Sequence, residues 1–388
     1  MKKKKKEKKI LYQLIFSAFL LFSNAYLVKA NSDILSQDST GKYCINTEQD
    51  YYNFIENIQN YNNKTVILCN DIDFSDVPEA TSSFGGILNG KGHTITYASK
   101  EAKENIAVFP FRINDNGIVE NINVQIDESY AYNSETDEFQ TVFSQCDGIA
   151  KGITIKGNVT CIYDDEDEDV SIGAIEGNGT LMDSSIAITY DLQSEKTIEE
   201  IAEDIVENDL EFEFCQLGTT YTGITYQNCI GYGQYSEAIK SLADELEPKI
   251  EDDTWGSLYV SFTRKSFFST SASATNCYYD KENMPDIKIR SEYIANRDNN
   301  KEFPNYADFG KTTSEMKNQG TYEGFDFNKK WTISPEDNNG YPYYNLQTEE
   351  ITLKVQASTE PKVWSTSVPR DYNRFVDYAK NYHFPYQV

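Results

Sequence analysis

Short runs of alternating apolar and polar residues follow one another along most of the chain. Apolar stretches of five to eight residues are bounded by Asn, Asp and Gly, as in NGIVENINVQI and DGIAKGITIKG. Alternation with a period of two, broken by turn residues, is the pattern of half-buried β-strands. The chain is therefore predicted to be mainly β, with short strands.

Three of these segments form an internal repeat when their glycines are superposed. Gly117, Gly148 and Gly179 each precede alternating apolar positions, and they lie 31 residues apart. Degenerate copies follow in GITYQNCIGYG, which starts at Gly223, and in SASATNCYYD. A two-strand unit cannot bury its inner face alone, but stacked copies can. The repeat predicts a parallel β-helix, an elongated solenoid.

Three stretches have a helical period instead. TEQDYYNFIENIQNY lies near the N-terminus, and two others lie near residues 194–208 and 236–247. The last two place their apolar residues on one helical face each, and these residues are Ile198, Ile201, Ala202, Ile205 and Val206, then Ile239, Leu242, Ala243 and Leu246. We expect both helices to pack on the outside of the solenoid; the alternative is a lip beside a binding groove.

The first 30 residues have the pattern of a secretory signal peptide. Seven lysines in MKKKKKEKK precede the apolar run ILYQLIFSAFLLF, and Ala30 closes a cleavage site, with Ala25 as an alternative. The apolar run is interrupted at Gln13 and is shorter than the roughly 20 residues that span a bilayer. We therefore expect a secreted, extracellular protein that has no membrane anchor after cleavage.

Removal of residues 1–30 would leave a strongly acidic chain. That segment holds eight of the 35 basic residues and one of the 62 acidic residues, so 27 basic and 61 acidic residues remain, a formal charge of −34. Such a surface repels nucleic acid and anionic lipid and attracts divalent cations. Neither nucleic acid nor membrane is an expected partner.

Two parts of the chain resemble a known family. DIDFSDVPEATSSFGGILNGKGHTIT contains the pattern F-x-G-x-L-x-G-x-G-H-x-I, and NCYYDKE, GKTTSEMKNQGTYEGFDFNKKWTI and NNGYPYYN follow near the C-terminus. They resemble the opening coil and the closing module of secreted bacterial right-handed β-helix proteins with GLUG-type repeats, a pectate-lyase-like solenoid. The resemblance covers roughly residues 40–190 and 270–347, and the middle repeats lack the family's Gly-Leu-Phe-Gly core.

Pattern and resemblance together predict a right-handed parallel β-helix with an N-terminal helical cap and two helical insertions. The predicted segments are the signal peptide (1–30), the cap (31–70), the β-helix (71–280), the closing module (281–348) and an aromatic tail (349–388). In the tail, Tyr372, Phe375, Val376 and Ala379 share a helical stripe. A stripe of this kind needs a surface to bury against. We expect the tail to dock on the solenoid; contact with a glycan or another protein is the alternative.

His93 is one of only two histidines and lies inside the glycine-rich opening pattern. A general base needs partners, and the second histidine, His383, is near the C-terminus. In the resembling proteins this position is a tight corner, where Gly90 and Gly92 allow backbone conformations that a Cβ would forbid. We predict a structural role for His93. The sequence has no nucleophile elbow, zinc helix or phosphate loop.

The acidic run DDEDEDV, residues 164–170, places six carboxylates in succession. Their mutual repulsion predicts a solvated loop, because the glycine and the terminal glutamate of a 12-residue calcium loop are absent. A calcium site is the alternative, with Asp165, Asp167 and Asp169 as the ligands. No other cofactor is expected.

All seven cysteines lie after residue 30, where export permits disulfides. In the resembling proteins a segment such as that between Cys44 and Cys69 caps the first coil, which implies that a bridge between these two would staple the cap. Cys229 and Cys277 occur in the similar contexts QNC and TNC, which makes them a second candidate pair. The odd count leaves at least one thiol outside any intramolecular bridge.

These observations favour a non-catalytic extracellular binding protein, adhesin-like, that engages carbohydrate or a cell-surface partner through a solenoid face. The first alternative is a polysaccharide lyase or glycoside hydrolase of the β-helix type. It predicts converging carboxylates, or carboxylates beside an arginine such as Arg112 or Arg264. Pairs such as Asp252 and Asp253 lie in no recognisable motif. The second alternative is a structural spacer without a binding face.

Overall fold

The computed structural model shows a mainly β protein whose large sheets consist chiefly of parallel strands. The predicted mainly β fold class is therefore confirmed. The structure describes residues 35–74, 82–98, 107–131, 139–163, 169–218, 223–251, 254–261, 263, 273–298 and 306–345. The predicted signal peptide and the aromatic tail lie outside the described residues. No helix in the described part is long and apolar enough to cross a membrane.

The described strands form two large sheets and one small one. The first sheet contains β1 (Ser36–Gln37), β2 (Tyr43–Ile45), β3 (Thr65–Leu68), β4 (Ile72–Phe74), β5 (Ile87–Asn89), β6 (Thr94–Ala98), β8 (Ile118–Ala131), β10 (Ile149–Ile162), β12 (Thr180–Met182), β13 (Ser185–Gln193), β15 (Thr225–Gln227), β16 (Ile230–Gly231), β17 (Gln234–Tyr235), β19 (Ser273–Thr275), β20 (Tyr278–Asp280) and β22 (Gly310–Lys311). The second contains β7 (Phe109–Ile113), β9 (Phe139–Cys146), β11 (Val170–Ile175), β14 (Glu211–Cys215), β18 (Ser257–Ser261) and β21 (Ile287–Ile289). The small sheet pairs β23 (Trp331–Thr332) with β24 (Tyr343–Tyr344).

Helices lie at the N-terminal end, beside the sheets and in the C-terminal part. They are α1 (Glu48–Glu56), α2 (Ile198–Glu207), α3 (Glu237–Leu246), α4 (Glu292–Asp298), α5 (Tyr306–Phe309) and α6 (Thr313–Met316). Short 3₁₀ turns occur at Ile58–Tyr61, Glu247–Lys249, Gln319–Thr321 and Asn338–Gly340.

The chain passes back and forth between the two large sheets. β7, β9, β11 and β14 belong to the second sheet, whereas β8, β10 and β13 lie between them in sequence and belong to the first. Each passage pairs in parallel with the next, so that Ile118 lies beside Ile149 and Ile149 beside Thr180. The same stack continues to Thr225 and Ser273. The repeated segments, including the degenerate copies, therefore lie in register. β2 and β3 also join the first sheet, so the stack begins inside the segment predicted as a cap.

Alternation along the strands divides inward from outward side chains. Val124, Ile155 and Ile186 lie in one register column and are each at most 2% exposed. In the second sheet the rings of Phe109 and Phe143 stack with centroids 4.8 Å apart. These inward columns form one continuous core between the two sheets.

Stacking explains the spacing of the three repeat glycines. The carbonyl of Gly117 accepts from the Ile149 N–H at 3.0 Å, and that of Gly148 accepts from the Thr180 N–H at 2.9 Å. A Cβ at Gly148 would overlap the carbonyl oxygen of Gly117, and one at Gly179 would overlap that of Gly148. The stack therefore leaves no room for a side chain at Gly148 and Gly179, whereas the next copy accommodates Ile224 at the position beside Gly179.

The N-terminal end of the stack is covered by α1. Its helix begins after Thr47, whose side chain accepts the N–H of Asp50 at 3.2 Å. Tyr51, Phe54 and Ile55 on α1 are fully buried against the first coils. The buried face of this amphipathic helix thus covers the N-terminal end of the core.

The two predicted insertions are helices α2 and α3. Thr197 and Glu200 form a capping box at the start of α2, and the Ser236 side chain caps α3. Their buried faces join the main core, and they pack against each other while α3 also contacts β13. The apolar helical stripes therefore point inward, and the acidic residues between them face outward.

A second hydrophobic core lies outside the sheets and is built by residues 310–345, here called the closing region. Its buried members are Ile230, Met316, Tyr322, Phe325, Trp331 and Tyr341. Of these, Ile230 belongs to β16 and points outward from the first sheet. The late strands are thus apolar on both faces, and the closing region covers the outer one.

A buried carboxylate holds the closing region to the last coil. Asp280, at the end of β20, is fully buried and accepts hydrogen bonds from Thr313 at 2.8 Å, Tyr341 at 2.5 Å and the Asn283 amide at 2.9 Å. Asp280, Thr313 and Tyr341 belong to the three segments NCYYDKE, GKTTSEMKNQGTYEGFDFNKKWTI and NNGYPYYN, and Asn283 directly follows the first of them. One hydrogen-bond network therefore joins segments that are up to 61 residues apart in sequence.

At one corner of the stack, successive passages of the chain place a residue in the left-handed conformation. These residues are Asn121 (φ 57°), Gly152 (φ 62°), Asp183 (φ 50°), Asn228 (φ 53°) and Asn276 (φ 53°). Asn276 donates to Asn228 at 3.3 Å, and Asn228 donates to Asp183 at 2.9 Å. Asn and Asp tolerate this conformation better than other residues with a side chain, so the corner carries a ladder of amide hydrogen bonds.

Candidate functional site

Nine outward positions on three neighbouring strands form a polar surface on the first sheet, here called the polar face. β8, β10 and β13 supply three positions each, and they are Asn123, Gln125 and Asp127; Thr154, Lys156 and Asn158; Ser185, Ala187 and Thr189. They point outward because their neighbours in sequence, such as Val124 and Ile155, fill the core.

The register of the strands arranges these positions in a grid. Thr154 lies between Asn123 and Ser185, and Lys156 lies between Gln125 and Ala187. The third row consists of Asp127, Asn158 and Thr189. Neighbouring strands are about 4.8 Å apart, so each row presents side chains at a fixed repeat along the stack. Such spacing suits an extended ligand with a repeating unit.

The solvent exposure of the side chains differs between the first and third rows of the grid. Thr154 and Ser185 are at most 7% exposed and share a hydrogen bond of 3.3 Å between their hydroxyls. Gln125, Asp127 and Asn158 are exposed. Thr154 and Ser185 of the first row therefore form a buried floor beside the closing region, and the third row opens to solvent.

Aromatic side chains bound the polar face where the closing region begins. Tyr232 stacks on Tyr341 with ring centroids 4.5 Å apart, and its hydroxyl lies 3.1 Å from the Asn338 side chain. Burial raises the pKa of Tyr232 to about 12, and hydrogen bonds from Asn338 and Ser185 oppose this rise. The polar face thus ends at the stacked rings of Tyr232 and Tyr341, here called the tyrosine wall. Tyr232 also contacts Ser185 in the first row of the grid.

A second contact fixes the position of this wall. Lys330 lies 2.9 Å from Asp183 of the amide ladder, and the ring of Tyr344 occupies the space that a Cβ at Gly152 would need. Trp331 packs edge-on against Tyr344 at 5.6 Å. The closing region therefore borders the polar face in a defined orientation.

Lys156 is the centre of the grid and the one cation among its nine positions. Its ammonium has no hydrogen-bond or ion-pair partner within the described part of the chain, and burial lowers its pKa. By contrast, Lys151 on the same strand lies 2.8 Å from Glu120. The polar face thus holds an uncompensated, half-buried positive charge.

A separate charged cluster lies at the opposite corner, where β7, β9 and β11 end. Arg112 Nε lies 2.6 Å from Asp147 Oδ2, a close ion pair that lacks hydrogen-bond alignment. The Asp147 side chain is 6% exposed and also accepts the Asn178 N–H at 3.1 Å. Burial raises the pKa of Glu176, and the nearby Asp147 raises it further. This cluster is of the type that the enzymatic alternative predicts, carboxylates beside an arginine.

His93 lies in a turn. Its N–H donates to the Gly90 carbonyl at 2.8 Å, Gly92 has φ +82°, and the ring Nδ1 lies 3.0 Å from Asp71. Asp71 also accepts the Thr94 N–H at 2.9 Å. The histidine thus joins two neighbouring coils at a corner.

The predicted calcium ligands are only partly described. Asp165 and Asp167 lie outside the described residues, as do Arg264 and the Asp252–Asp253 pair. Asp169 accepts the backbone N–H of Glu211 at 2.6 Å. Within the described ranges, no group of three or more His, Cys, Asp or Glu side chains could hold a metal ion.

The two candidate disulfides differ. Cys44 and Cys69 are bonded, with Cα atoms 5.9 Å apart. Cys229 and Cys277 lie side by side in the core but are free thiols, so this second pairing is corrected. Each thiol lies 3.5 Å from the carbonyl oxygen two residues earlier in the chain. Burial raises the pKa of Cys229, and a side-chain hydrogen bond with Cys277 raises it further.

Lys156, Asp147 and Glu176 were not singled out in the sequence, whereas Arg112 was named for the enzymatic alternative. The lysine in GITIKGNVTCI stands at an outward position of the alternation, which gave a usable indication of its exposure. The Arg112, Asp147 and Glu176 cluster joins three coils and has no local motif. Chemically, the polar face offers hydroxyl and amide groups around one cation, and the corner cluster offers two carboxylates with an arginine.

No family model, curated protein or solved structure matches this chain.

Proposed function

We propose that this protein is a secreted right-handed parallel β-helix with GLUG-type repeats that binds an extracellular ligand without catalysis, in the manner of an adhesin. Carbohydrate or a cell-surface protein is the ligand, and the polar face is the binding surface. One observation carries the proposal: nine outward positions stand in register on three strands, polar at eight of them, beside a tyrosine wall.

The chemistry of the face suits a glycan. Sugar hydroxyl groups both donate and accept hydrogen bonds, as do the amides of Gln125 and Asn158 and the hydroxyl of Thr189. Aromatic rings such as Tyr232 supply apolar contact for the faces of sugar rings. A flat sheet with a fixed strand spacing presents these groups at regular intervals.

Two further features support export. The first 30 residues have the order of a signal peptide, and Cys44 and Cys69 form a disulfide. Disulfides persist in oxidising compartments outside the cytosol. The strongly acidic remainder of the chain keeps an extracellular protein soluble through self-repulsion.

A combined binding and turnover screen tests the proposal. The full chain, expressed in a secreting host and purified from the medium, is applied to a polysaccharide array with and without Ca²⁺. Bound protein and released reducing or unsaturated ends are measured together. We expect binding without released ends, and weaker binding for the Gln125→Ala, Asn158→Ala double variant.

Gln37→Ala is the matched control, since Gln37 is an exposed glutamine on β1, far along the stack from the grid. If Gln37→Ala and the Gln125→Ala, Asn158→Ala double variant lose the same amount of affinity, the ligand binds outside the polar face. Absence of binding to any glycan or cell surface would favour the structural spacer.

The corner cluster supports a second candidate, cleavage of a polysaccharide. Acid–base cleavage requires two carboxyl groups whose environments differ. Asp147 contacts a guanidinium, whereas burial raises the pKa of Glu176. Released ends that disappear in Asp147→Asn and Glu176→Gln variants, with the fold intact, would make this the function instead.

A further inference from the structure

The uncompensated charge of Lys156 restricts the class of ligand that the polar face accepts. Most described lysines with a resolved contact meet a carboxylate, as Lys196 meets Asp204 at 2.9 Å and Lys249 meets Glu203 at 3.5 Å. Lys156 has no such partner in the part of the chain that the structure describes. In a chain with 62 acidic residues, this half-buried lysine makes no contact with a carboxylate of the described residues, and the exposed Asp127 in the next row of the grid is the nearest one on the polar face.

The four groups directly beside Lys156 on the polar face are neutral, and Asp127 lies diagonally from it, in the exposed third row. Gln125 and Ala187 flank it in register on the adjacent strands, and Thr154 and Asn158 are its outward neighbours on β10. Ala187 is small, so the space between Lys156 and the tyrosine wall is not filled by a long side chain. An ammonium flanked by one small side chain and by neutral hydrogen-bonding groups can receive an anion.

Partial burial without a partner is unfavourable for the charged form, and this is why the pKa of Lys156 is lowered. An anionic group placed beside the ammonium would remove this penalty and form a charge-assisted hydrogen bond. A neutral sugar could only share an ordinary hydrogen bond with it. The free protein is therefore prepared to favour an anionic ligand over a neutral one.

We propose that the polar face binds an acidic glycan and that Lys156 receives its anionic group, a carboxylate or a sulfate ester. This inference rests on the proposed function, since it names the ligand class of the same face. The acidic surface of the protein repels polyanions at long range, but at an ionic strength of about 0.15 M this repulsion is screened beyond about 8 Å. The contact at Lys156 is short and is screened less.

The test compares three probes: polygalacturonate, which carries carboxylates, dextran sulfate, which carries sulfate esters, and neutral dextran. Affinities are measured for the full chain and for Lys156→Met, which keeps the length of the side chain and removes its charge. Lys156→Arg keeps the charge. Lys240→Met is the matched control, because Lys240 lies on the exposed surface of α3 beside Glu237.

We expect an anionic probe to bind more tightly than dextran, and Lys156→Met to weaken this binding about tenfold, the loss of one charged hydrogen bond. Lys156→Arg and Lys240→Met should bind like the parent protein. Preference between the two anionic probes distinguishes carboxylate from sulfate. Lys156→Met removes a half-buried charge without a partner, so it should fold, which its urea midpoint checks.

Two results would overturn the inference, and they are distinguishable. If dextran binds as well as the anionic probes and Lys156→Met changes nothing, the ligand is a neutral glycan and the proposed function stands without the inference. If no probe binds and the array also shows no glycan binding, both fail.

Discussion

Lys330 and Asp183, separated by 147 residues in sequence, meet at 2.9 Å and join the closing region to the amide ladder. The Asp183 side chain is only 9% exposed and also accepts from Asn228 at 2.9 Å. One ion pair thus connects the outer hydrophobic core with the corner of the stack. It also fixes the wall that borders the polar face.

Lys330→Met should destabilise the protein by about 1–2 kcal/mol, because it leaves a mostly buried carboxylate without its cation. The free energy of unfolding in urea measures this effect. Lys329→Met, the adjacent exposed lysine, is the control and should stay within about 0.5 kcal/mol of the parent. Equal values for both variants would show that the pair contributes nothing to stability.

Asp280→Ala should have a larger effect, a loss of about 3 kcal/mol or more. The substitution removes the acceptor of Thr313, Tyr341 and Asn283 at a fully buried position, and each orphaned donor costs about 1–3 kcal/mol. Tyr341→Phe removes one of these bonds and should cost less. Limited proteolysis should cut the closing region first in Asp280→Ala, and uniform cleavage along the chain would contradict the network's local role.

Stability should fall as the pH rises above 10. Burial raises the pKa of Tyr232 from 10 to about 12. The unfolded chain therefore releases this proton first, and the contribution that is complete below pH 10 is lost as the pH approaches 12. Between pH 10 and 11, Tyr232→Phe should lose up to about 1.4 kcal/mol less than the parent protein. Urea midpoints measured at both pH values test this, and parallel curves would contradict it.

The cysteine assignment predicts a definite thiol count. Native protein should react slowly with a thiol reagent, because all five free cysteines are buried and burial raises the pKa of Cys146 to about 12. Unfolding without reductant should expose five thiols, and reduction should raise the count to seven. A count of three before reduction would indicate a second disulfide, with Cys229 and Cys277 as the adjacent pair.

The sequence contained the local features of the fold and little of its long-range chemistry. A Cβ at Gly148 or Gly179 would overlap the carbonyl oxygen of the preceding repeat glycine, so the stack keeps glycine at these positions. Their regular spacing can therefore be read directly from the sequence. The stripes on α2 and α3 follow from helical geometry. The contact of Lys330 with Asp183, and that of Arg112 with Asp147, depend on which coils lie side by side. No spacing in the sequence encodes either.

The polar face could be predicted from the sequence only in part. Alternation alone places Gln125, Lys156 and Ala187 on outward positions, but their arrangement in one row depends on the register between three strands. The predicted disulfide between Cys229 and Cys277 was wrong for a different reason. Similar local contexts did indicate that they are neighbours, yet neighbouring positions in a parallel ladder do not require a bond between the two sulfurs.

Blocking the polar face tests most directly whether it is the binding surface. Ala187→Trp would place a large ring between Lys156 and the tyrosine wall without entering the core, since Ala187 points outward. The measurement is the affinity of the parent and of this variant for the glycan that binds best on the array, with equal urea midpoints as the check on folding. We predict that the parent binds and that Ala187→Trp loses at least about tenfold in affinity. Equal binding by a folded Ala187→Trp variant would contradict the account.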